Sequence, residues 1–251
     1  MAQPLFVVRG LVKSYGAKTV LDGVDFDLLR GECLVILGRS GSGKSVTLRQ
    51  LTGLERPDAG SIRFDGVEVT ELTERQLFPV RRRVAMLFQG GALFDSMSVF
   101  DNLAFPLREH TDATAEEIAA RVADLLEQVR LPGIGEKWPA DLSGGMKKRV
   151  ALARAVALQP EAVLYDEPTT GLDPMTAASI ASLIQRTQER LGVTSLVVTH
   201  DLALTRQVAD RIAFLEEGRF RFVGTLAEAD RSPDRLLSDF LAAREEENHV
   251  A

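Results

Sequence analysis

The chain has 251 residues, of which 45% are apolar, with a net charge of −6 and a pI of about 5.3. This length suits one α/β domain with a substantial core, and the acidic balance argues against a broad nucleic-acid-binding surface. No stretch reaches the roughly 18 consecutive apolar residues of a membrane-spanning helix, and the first residues lack the pattern of a secretory signal. We expect the single cysteine, Cys33, to pack in the core of a protein from a reducing compartment.

The first third of the chain is rich in predicted strands. Val24, Phe26 and Leu28 alternate with mostly polar neighbours, which is typical of a strand buried on one face. Residues 33–37 are continuously apolar, which predicts a strand covered on both faces of a parallel sheet. The elements predicted after it are a glycine-rich turn over 38–43, a helix over 45–54, and strands over 61–64 and 84–88.

The middle of the chain has helical periodicity instead. Thr114 stands three residues before Glu117, which is the pattern of a capping box at the start of a helix. Apolar residues then recur at helical spacing until Pro132 and Gly133 end the pattern; they are Ile118, Val122, Leu125, Leu126 and Val129. A second helix is predicted over 145–157, so residues 89–158 are expected to form a helical insertion in a sheet domain.

The last third alternates between strands and helices. Apolar runs at 162–165 and 194–198 predict strands, and residues 176–190 between them predict a helix. This alternation indicates a parallel sheet with right-handed crossovers. Ligands of such sheets bind at the carboxyl ends of the strands, and the polar motifs of this chain fall at those ends.

A phosphate-binding loop follows the apolar strand 33–37. Residues 38–45 fit the pattern GxxxxGK[ST] between a strand and a helix. Glycines let several backbone N–H groups face one anion, and the helix N-terminus adds partial positive charge. Lys44 is expected to reach the β- and γ-phosphates, and the Ser45 hydroxyl to bind Mg²⁺. The predicted nucleotide contacts of this segment are Gly38, Arg39, Ser40, Gly41, Ser42, Gly43, Lys44, Ser45 and Val46.

Two adjacent carboxylates end the strand 162–165. Asp166 is expected to hold Mg²⁺ through water, and Glu167 to polarise the attacking water as a general base. Adjacent carboxylates repel each other, so a purely structural role would be a poor use of them.

Residues 142–146 read Leu-Ser-Gly-Gly-Met and lie upstream of that carboxylate strand. This stretch resembles the LSGGQ signature of ABC ATPases, and the order of the motifs is that of the family. The resemblance covers roughly residues 5–225. It implies a single ABC ATPase domain over 1–251, with a P-loop sheet core, an N-terminal antiparallel β region, a helical subdomain over about 89–158 and a C-terminal tail over about 232–251.

The resemblance also implies further site residues, with ATP and Mg²⁺ as the ligands. Tyr15 resembles the aromatic residue that stacks on adenine, and Gln89 the glutamine that senses Mg²⁺ and the membrane subunit. Asp173 belongs to a stretch that resembles the D-loop, and His200 resembles the switch histidine at the γ-phosphate. In the family two copies enclose the nucleotide, which implies a homodimer. The residues then contributed from across the gap are Ser143, Gly144 and Gly145.

Residues 86–110 and Met146 resemble the corresponding parts of the Mla/Mce-type lipid-transport ATPases. This implies lipid movement between the inner and outer membranes, with the chain at the cytoplasmic face of the inner membrane. The implied partners are an integral membrane permease, an Mce-domain lipid-binding protein and a small STAS-domain protein, with no nucleic acid. The alternatives are an ATPase for small-solute uptake, for example of amino acids, and a soluble ABC protein of DNA repair or translation.

The tail carries an apolar cluster on one side of a helix predicted to begin near Asp234. Its members are Leu236, Leu237, Phe240 and Leu241, and residues 245–247 then make the end acidic. Two interpretations stay open: the cluster packs on its own domain, or it docks onto the second subunit or a small regulator.

Overall fold

A computed structural model describes residues 3–249 of the protein, and it describes side chains as far as Ala242. Its strands form two sheets. In chain order the strands are β1 (Pro4–Tyr15), β2 (Lys18–Leu29), β3 (Cys33–Leu37), β4 (Ala59–Phe64), β5 (Val67–Glu68), β6 (Val84–Leu87), β7 (Ala162–Asp166), β8 (Thr194–Thr199), β9 (Arg211–Glu216) and β10 (Arg219–Gly224).

The helices pack around these sheets. In chain order they are α1 (Lys44–Leu51), α2 (Glu74–Arg83), α3 (Val99–His110), α4 (Ala115–Gln128), α5 (Gly144–Ala155), α6 (Pro174–Leu191), α7 (Leu202–Val208), α8 (Leu226–Ala229) and α9 (Arg235–His249). Within residues 3–249, none of these helices combines the length and the apolar character that a membrane crossing requires.

The six-stranded sheet has the order β10-β9-β3-β8-β7-β6, with β10 antiparallel to β9 and the other pairs parallel. The central strand β3 is fully buried. Its Val35 and Leu37 face one hydrophobic core, and its Leu34 and Ile36 face another. A strand that serves two cores must be apolar at every position, so the prediction of a doubly covered parallel strand is confirmed.

The four-stranded antiparallel sheet has the order β2-β1-β4-β5 and shares the second core with α1. A charged cluster joins the loops around both sheets. The Arg83 guanidinium lies 2.5 Å from Asp65 and 3.0 Å from Glu161, and Arg30 lies 2.9 Å from Glu161. These ion pairs lower the pKa of Asp65 and of Glu161, with the hydrogen bond from Arg83 as the largest cause for each.

Helices α3, α4 and α5 lie between β6 and β7 in the chain. Helix α4 begins with the predicted capping box of Thr114 and Glu117 and buries Ile118, Val122, Leu125 and Leu126, although it ends at Gln128 rather than after Val129. Helix α3 was not predicted as an element. It forms despite Pro106 because Ser98 caps its first turn, accepting a hydrogen bond from the Asp101 N–H at 3.0 Å.

The C-terminal helix α9 packs on the chain's own domain. Leu237, Phe240 and Leu241 are buried in the first core, and the rings of Phe240 and Phe214 lie 5.2 Å apart between centroids. Leu236 remains 40% exposed. The first of the two interpretations of the tail is therefore the one that these contacts support. The acidic side chains of residues 245–247 lie outside the described residues.

Candidate nucleotide-binding site

The loop between β3 and α1 has a backbone that glycine makes possible. Gly41 and Gly43 have φ angles of 80° and 106°, in the region that favours glycine. A Cβ at Gly43 would also lie 2.7 Å from the Leu21 side chain and 2.9 Å from the Val20 carbonyl oxygen. The curl of the loop is therefore fixed by residues of β2 that pack against it.

Lys44 begins α1 and is buried inside this loop. Its ammonium donates hydrogen bonds to the carbonyl oxygens of Gly38 at 2.8 Å and Arg39 at 3.0 Å, and lies 3.6 Å from Glu167 Oε1. Within the described residues the buried Ser42 hydroxyl has no hydrogen-bond partner. A buried cation and an unsatisfied donor in a glycine loop fit a phosphate chain.

Ser45 and Asp166 form the part of the site that fits Mg²⁺. The Ser45 hydroxyl donates a hydrogen bond to Asp166 Oδ1 at 2.7 Å. Burial raises the pKa of Asp166, and the hydrogen bond from Ser45 partly opposes that rise. Among the described residues no group of three or more His, Cys, Asp and Glu side chains is arranged as a metal site. A hydroxyl and one carboxylate suffice for Mg²⁺ when phosphate oxygens and waters complete its shell.

Glu167 directly follows β7 and has a φ angle of 47°, in the left-handed region. Such a conformation costs about 1–3 kcal/mol and is held by its surroundings. Its N–H donates to the Val198 carbonyl oxygen at 2.9 Å. Its carboxylate accepts a hydrogen bond from Thr170 at 3.0 Å and lies 2.9 Å from His200 Nδ1. These contacts restrict the orientation of the buried Glu167 carboxylate.

A cavity of about 450 Å³ is lined by nine of the eighteen predicted site residues. Gln89 and His200 reach it from the ends of β6 and β8, and Glu167 from the end of β7, as expected for neighbouring parallel strands. The residues that line it are Val20, Ser40, Gly41, Gly43, Lys44, Ser45, Val46, Arg49, Gln89, Glu167, Thr170 and His200.

The sequence analysis missed four residues of this site. Val20, Arg49 and Thr170 line the cavity, and the only available signal was their closeness to the motifs. Lys148 on α5 is buried, and its ammonium donates hydrogen bonds to the carbonyl oxygens of Gln89 and Glu167, the latter at 3.4 Å. Burial lowers its pKa against the attraction of Asp166 and Glu167.

Tyr15 lies outside the lining of the cavity. Its ring is 48% exposed, and its hydroxyl donates a hydrogen bond to Glu55. Glu55 also accepts a hydrogen bond from Arg49 at 3.2 Å. Because Arg49 lines the cavity, these contacts fix an exposed aromatic face beside the phosphate loop, an arrangement that suits stacking of a base.

Ser143, Gly144, Gly145 and Asp173 are also absent from the lining of this cavity, as far as the described residues define it. The exposed Ser143 is the N-cap of α5 and accepts a hydrogen bond from the Met146 N–H at 3.3 Å. A Cβ at Gly145 would lie 2.4 Å from Thr176 Cγ2, so glycine permits the contact with α6. Asp173 caps α6 by accepting from the Thr176 N–H at 3.0 Å. Together they form an exposed helix N-terminus beside the D-loop stretch.

Comparison with known proteins identifies the family. The sequence pattern of the ABC transporter family matches residues 21–170 of this chain. The chain belongs to the ABC transporter family. This ABC ATPase resembles the dimeric post-hydrolysis structure of the ATP-binding cassette MJ0796 bound to ADP and Pi, with a TM-score of 0.82 and 30% identity over 88% of this chain and 98% of that one. It resembles cbiO1 from Clostridium perfringens with a TM-score of 0.83 and 29% identity over 95% of each chain.

The relatives with assigned names differ in cargo. The ABC ATPase is 40% identical over 234 residues to the Escherichia coli K12 "intermembrane phospholipid transport system ATP-binding protein MlaF", covering 93% of this chain and 87% of that protein. The MlaF of Haemophilus influenzae is 40% identical over 241 residues, which is 96% and 91% of the two chains. The "probable ribonucleotide transport ATP-binding protein mkl" of Mycobacterium leprae is 41% identical over 237 residues, or 94% of this chain and 68% of that protein.

Family membership and geometry agree on the chemistry. The chain is an ATPase that binds ATP with Mg²⁺. The ion supplies charge neutralisation at the phosphates when it is bound. The fold class predicted from the sequence, a P-loop sheet core with an antiparallel β region and inserted helices, is confirmed.

Proposed function

We propose that this chain is the ATP-hydrolysing subunit of an ABC transporter that moves phospholipid between the inner and outer membranes. The observation that carries the ATPase assignment is the position of the Glu167 carboxylate. It lies 3.6 Å from the Lys44 ammonium and 2.9 Å from His200, in the cavity beside Ser45. A general base must stand within reach of a water at the phosphate, and the distance of this carboxylate from the phosphate-loop lysine supports that role.

Each residue of the cavity then has a role of its own. Lys44 and the loop 38–46 bind the phosphates, and Ser45 and Asp166 hold Mg²⁺, with Gln89 as a further oxygen ligand. Glu167 takes the proton of the attacking water. His200, which contacts Glu167 through Nδ1, orients that carboxylate and reaches the terminal phosphate. Tyr15 stacks on adenine. Preorganised charge of this kind supplies most of the rate enhancement in phosphoryl transfer.

The chain works as a homodimer in which each copy completes the other's site. Ser143 and Gly144 are exposed, Gly145 is buried against Thr176, and none of the three lines the chain's own cavity. The start of α5 has a helix N-terminus and the exposed Ser143 hydroxyl, which suit an anion presented by another molecule. The dimeric state of the cassette MJ0796 supports this arrangement. Asp173, which lies beside them, belongs to the same face.

The chain is one ABC ATPase domain over residues 1–251, with a helical subdomain over about 89–158 and a tail over about 232–251.

A cleft of about 920 Å³ separates α2 from the loop between α3 and α4. Its apolar floor includes Leu107 and Ile118, and its rim includes Arg82 and Arg121. The cleft adjoins residues 86–110, so we assign it to a permease segment. An Asp112→Trp change at its edge should weaken permease co-purification, whereas Glu136→Trp on another loop should not.

Phospholipid is the cargo that the relatives favour. The two MlaF proteins align over 93% and 96% of this chain and over most of their own length, whereas mkl is longer than the aligned region. The resemblance of residues 86–110 to lipid-transport ATPases points the same way. Such a transporter places the chain at the cytoplasmic face of the inner membrane, with an Mce-domain protein and a small STAS-domain protein as further partners.

Reconstitution distinguishes the cargo classes. The complex captured through a tag on this chain is placed in liposomes with a fluorescent phospholipid, and ATP-dependent transfer to acceptor vesicles is measured. We expect transfer with the natural chain and none with a Glu167→Gln chain. Uptake of labelled ribonucleotides or amino acids without phospholipid transfer would refute the lipid assignment while leaving the ATPase assignment in place. An Mce-domain protein in the captured complex would support the lipid class.

A further inference from the structure

Lys148 occupies an unusual position for a lysine. It lies on α5, three residues after Gly145, and only 6% of its surface is exposed. A buried ammonium is stable only where hydrogen-bond acceptors and opposite charge surround it. Here the acceptors are two backbone carbonyl oxygens, those of Gln89 and Glu167. The side chain therefore ties the helix of the signature stretch to two other motifs of the ATPase.

The two carbonyl oxygens belong to neighbouring strand ends. Gln89 stands two residues after β6, and Glu167 one residue after β7, and these strands pair in parallel. Glu167 carries the candidate base, and its backbone has the strained φ angle of 47°. A donor at its carbonyl oxygen helps to hold that backbone, and with it the direction of the carboxylate. The same ammonium holds the backbone that presents the Gln89 side chain.

Other residues of α5 hold the segment after Gln89 but do not reach Glu167 in the described contacts. The Arg154 guanidinium donates hydrogen bonds to the carbonyl oxygens of Gly91 at 3.2 Å and Ala92 at 2.7 Å. A Cβ at Gly91 would lie 3.3 Å from the Ala151 side chain, so the loop backbone lies close against the helix. Residues 89–92 and α5 are thus fastened together along the helix. Lys148 extends this connection to the base.

We propose that Lys148 is a positioning residue that couples Gln89 and the signature helix to Glu167. A displacement of residues 89–92 by a docked permease pulls on the Lys148 ammonium and so on the backbone of Glu167. Hydrolysis then depends on the length and charge of this side chain, whereas ATP binding by the loop 38–46 does not. The inference rests on the proposed roles of Gln89 and Glu167.

The test compares Lys148→Met, which keeps most of the length but removes the donor and the charge, with Lys148→Arg, which keeps both. Lys147→Met on the same helix is the matched control. Steady-state hydrolysis is measured for the purified chain and for its complex with the permease, with ATP binding measured separately. We expect Lys148→Met to lower kcat roughly 10–100-fold, as loss of an orienting contact does, with KM and ATP binding within about threefold of the natural chain. Lys148→Arg should recover most of the rate, and the permease should no longer stimulate Lys148→Met.

The inference is overturned if Lys148→Met keeps its kcat and its stimulation by the permease, or if folded Lys148→Arg is as slow as Lys148→Met. If Lys148→Met does not fold, Lys148→Leu replaces it, since this side chain also lacks both the donor and the charge, and the same criteria apply. Glu167→Gln, measured in parallel, separates the two levels of the argument. An active Glu167→Gln chain would refute the proposed function, whereas an inactive one beside a normal Lys148→Met chain would refute only the coupling.

Discussion

The phosphate loop and the signature stretch are both glycine-rich and both lead into a helix, yet they differ in how far one chain completes them. The loop 38–43 curls over Lys44, and its cavity also receives Gln89, Glu167 and His200 from three strand ends. The start of α5 has its helix N-terminus and an exposed Ser143, but it does not contribute to that cavity in the described structure. The phosphate loop lines a cavity of its own chain, whereas the exposed Ser143 at the start of α5 does not line that cavity.

The glycines of the two motifs are required by different contacts. In the phosphate loop, Gly43 is required by β2, which packs against it, and the loop is closed by the chain's own fold. In the signature stretch, Gly145 is required by the close contact with Thr176 of α6, and the Ser143 side chain that precedes it stays exposed. We infer that the first motif binds and that the second completes a site on another copy.

Removing the base should have the largest effect. Glu167→Gln preserves size and the hydrogen bond from Thr170 but cannot accept the proton, so kcat should fall about 10²–10⁴-fold. ATP binding should persist, because the loop 38–46 is unchanged, and an ATP-bound dimer should accumulate in size-exclusion chromatography. Glu136→Gln on an exposed loop is the control. A Glu167→Gln chain that hydrolyses ATP at the natural rate would remove Glu167 from the mechanism.

Asp166 should trade stability for function. Burial raises its pKa, so its contribution to stability is present below the unfolded pKa of about 3.9 and is lost as pH rises through the folded pKa. At pH 7 the ionised Asp166 carboxylate therefore lowers the free energy of unfolding. Asp166→Asn should raise the Tm of the nucleotide-free protein while abolishing Mg²⁺-dependent hydrolysis. Each kcal/mol gained corresponds to roughly 2–4 °C for a chain of this size.

Asp173→Asn is the matched control for this stability effect. Hydrogen bonds from Thr176 lower the pKa of Asp173, so the ionised Asp173 carboxylate stabilises the folded chain. The Tm of Asp173→Asn at pH 7 should therefore equal that of the natural chain or lie below it. Differential scanning calorimetry in EDTA measures both variants. A clear drop in the Tm of Asp166→Asn would contradict the burial argument.

The smallest effect concerns the charged cluster of Arg30, Asp65, Arg83 and Glu161, which lies near the amino ends of β3, β6 and β7 and joins the two sheets. The pKa values of Asp65 and Glu161 are lowered, so their stabilisation is present above the unfolded pKa of about 4 and is lost as pH falls through the folded pKa. Arg83→Met should lower the Tm at pH 7 by a few degrees, and the Tm difference from the natural chain should become smaller below about pH 4. Among the described contacts Arg82 makes a hydrogen bond to the His110 carbonyl oxygen and no ion pair, so the Tm difference between Arg82→Met and the natural chain should not depend on pH. A constant Tm difference for Arg83→Met would contradict the ion-pair account.

Local patterns predicted the elements that bind phosphate. The loop 38–45, the apolar strand before it and the two carboxylates at the end of β7 are each encoded within a few residues, so spacing alone placed them. The capping box of Thr114 and Glu117 was predictable for the same reason. The boundaries differed by a few residues where caps decide them: α1 begins at Lys44 and ends at Leu51, before the predicted Leu54.

What the sequence did not predict depends on contacts between distant residues. Lys148 belongs to a run of basic residues that would suit a solvated helix face, and only the fold brings it to Gln89 and Glu167. Helix α3 escaped prediction because Pro106 interrupts its pattern, and because the bonds of the buried Asn102 to the preceding loop, such as the one to Phe94 O at 3.1 Å, are visible only in the fold. The apolar cluster of the tail could pack on any apolar surface, and only the fold shows that Phe240 packs against Phe214 of the same domain.

Mixed dimers test the central claim, that each ATP site is shared, most directly. Chains with Ser143→Arg and Lys44→Ala are co-expressed with different tags, and doubly captured dimers are assayed for ATP hydrolysis. If Ser143 serves the other copy's site, both lesions fall on one site, and the mixed dimer should regain up to about half of the natural rate, while each pure mutant stays inactive. A natural chain paired with the double mutant should then have lesions at both sites and stay inactive. The opposite pattern, with an inactive mixed pair and activity in the dimer of natural chain and double mutant, would contradict the account.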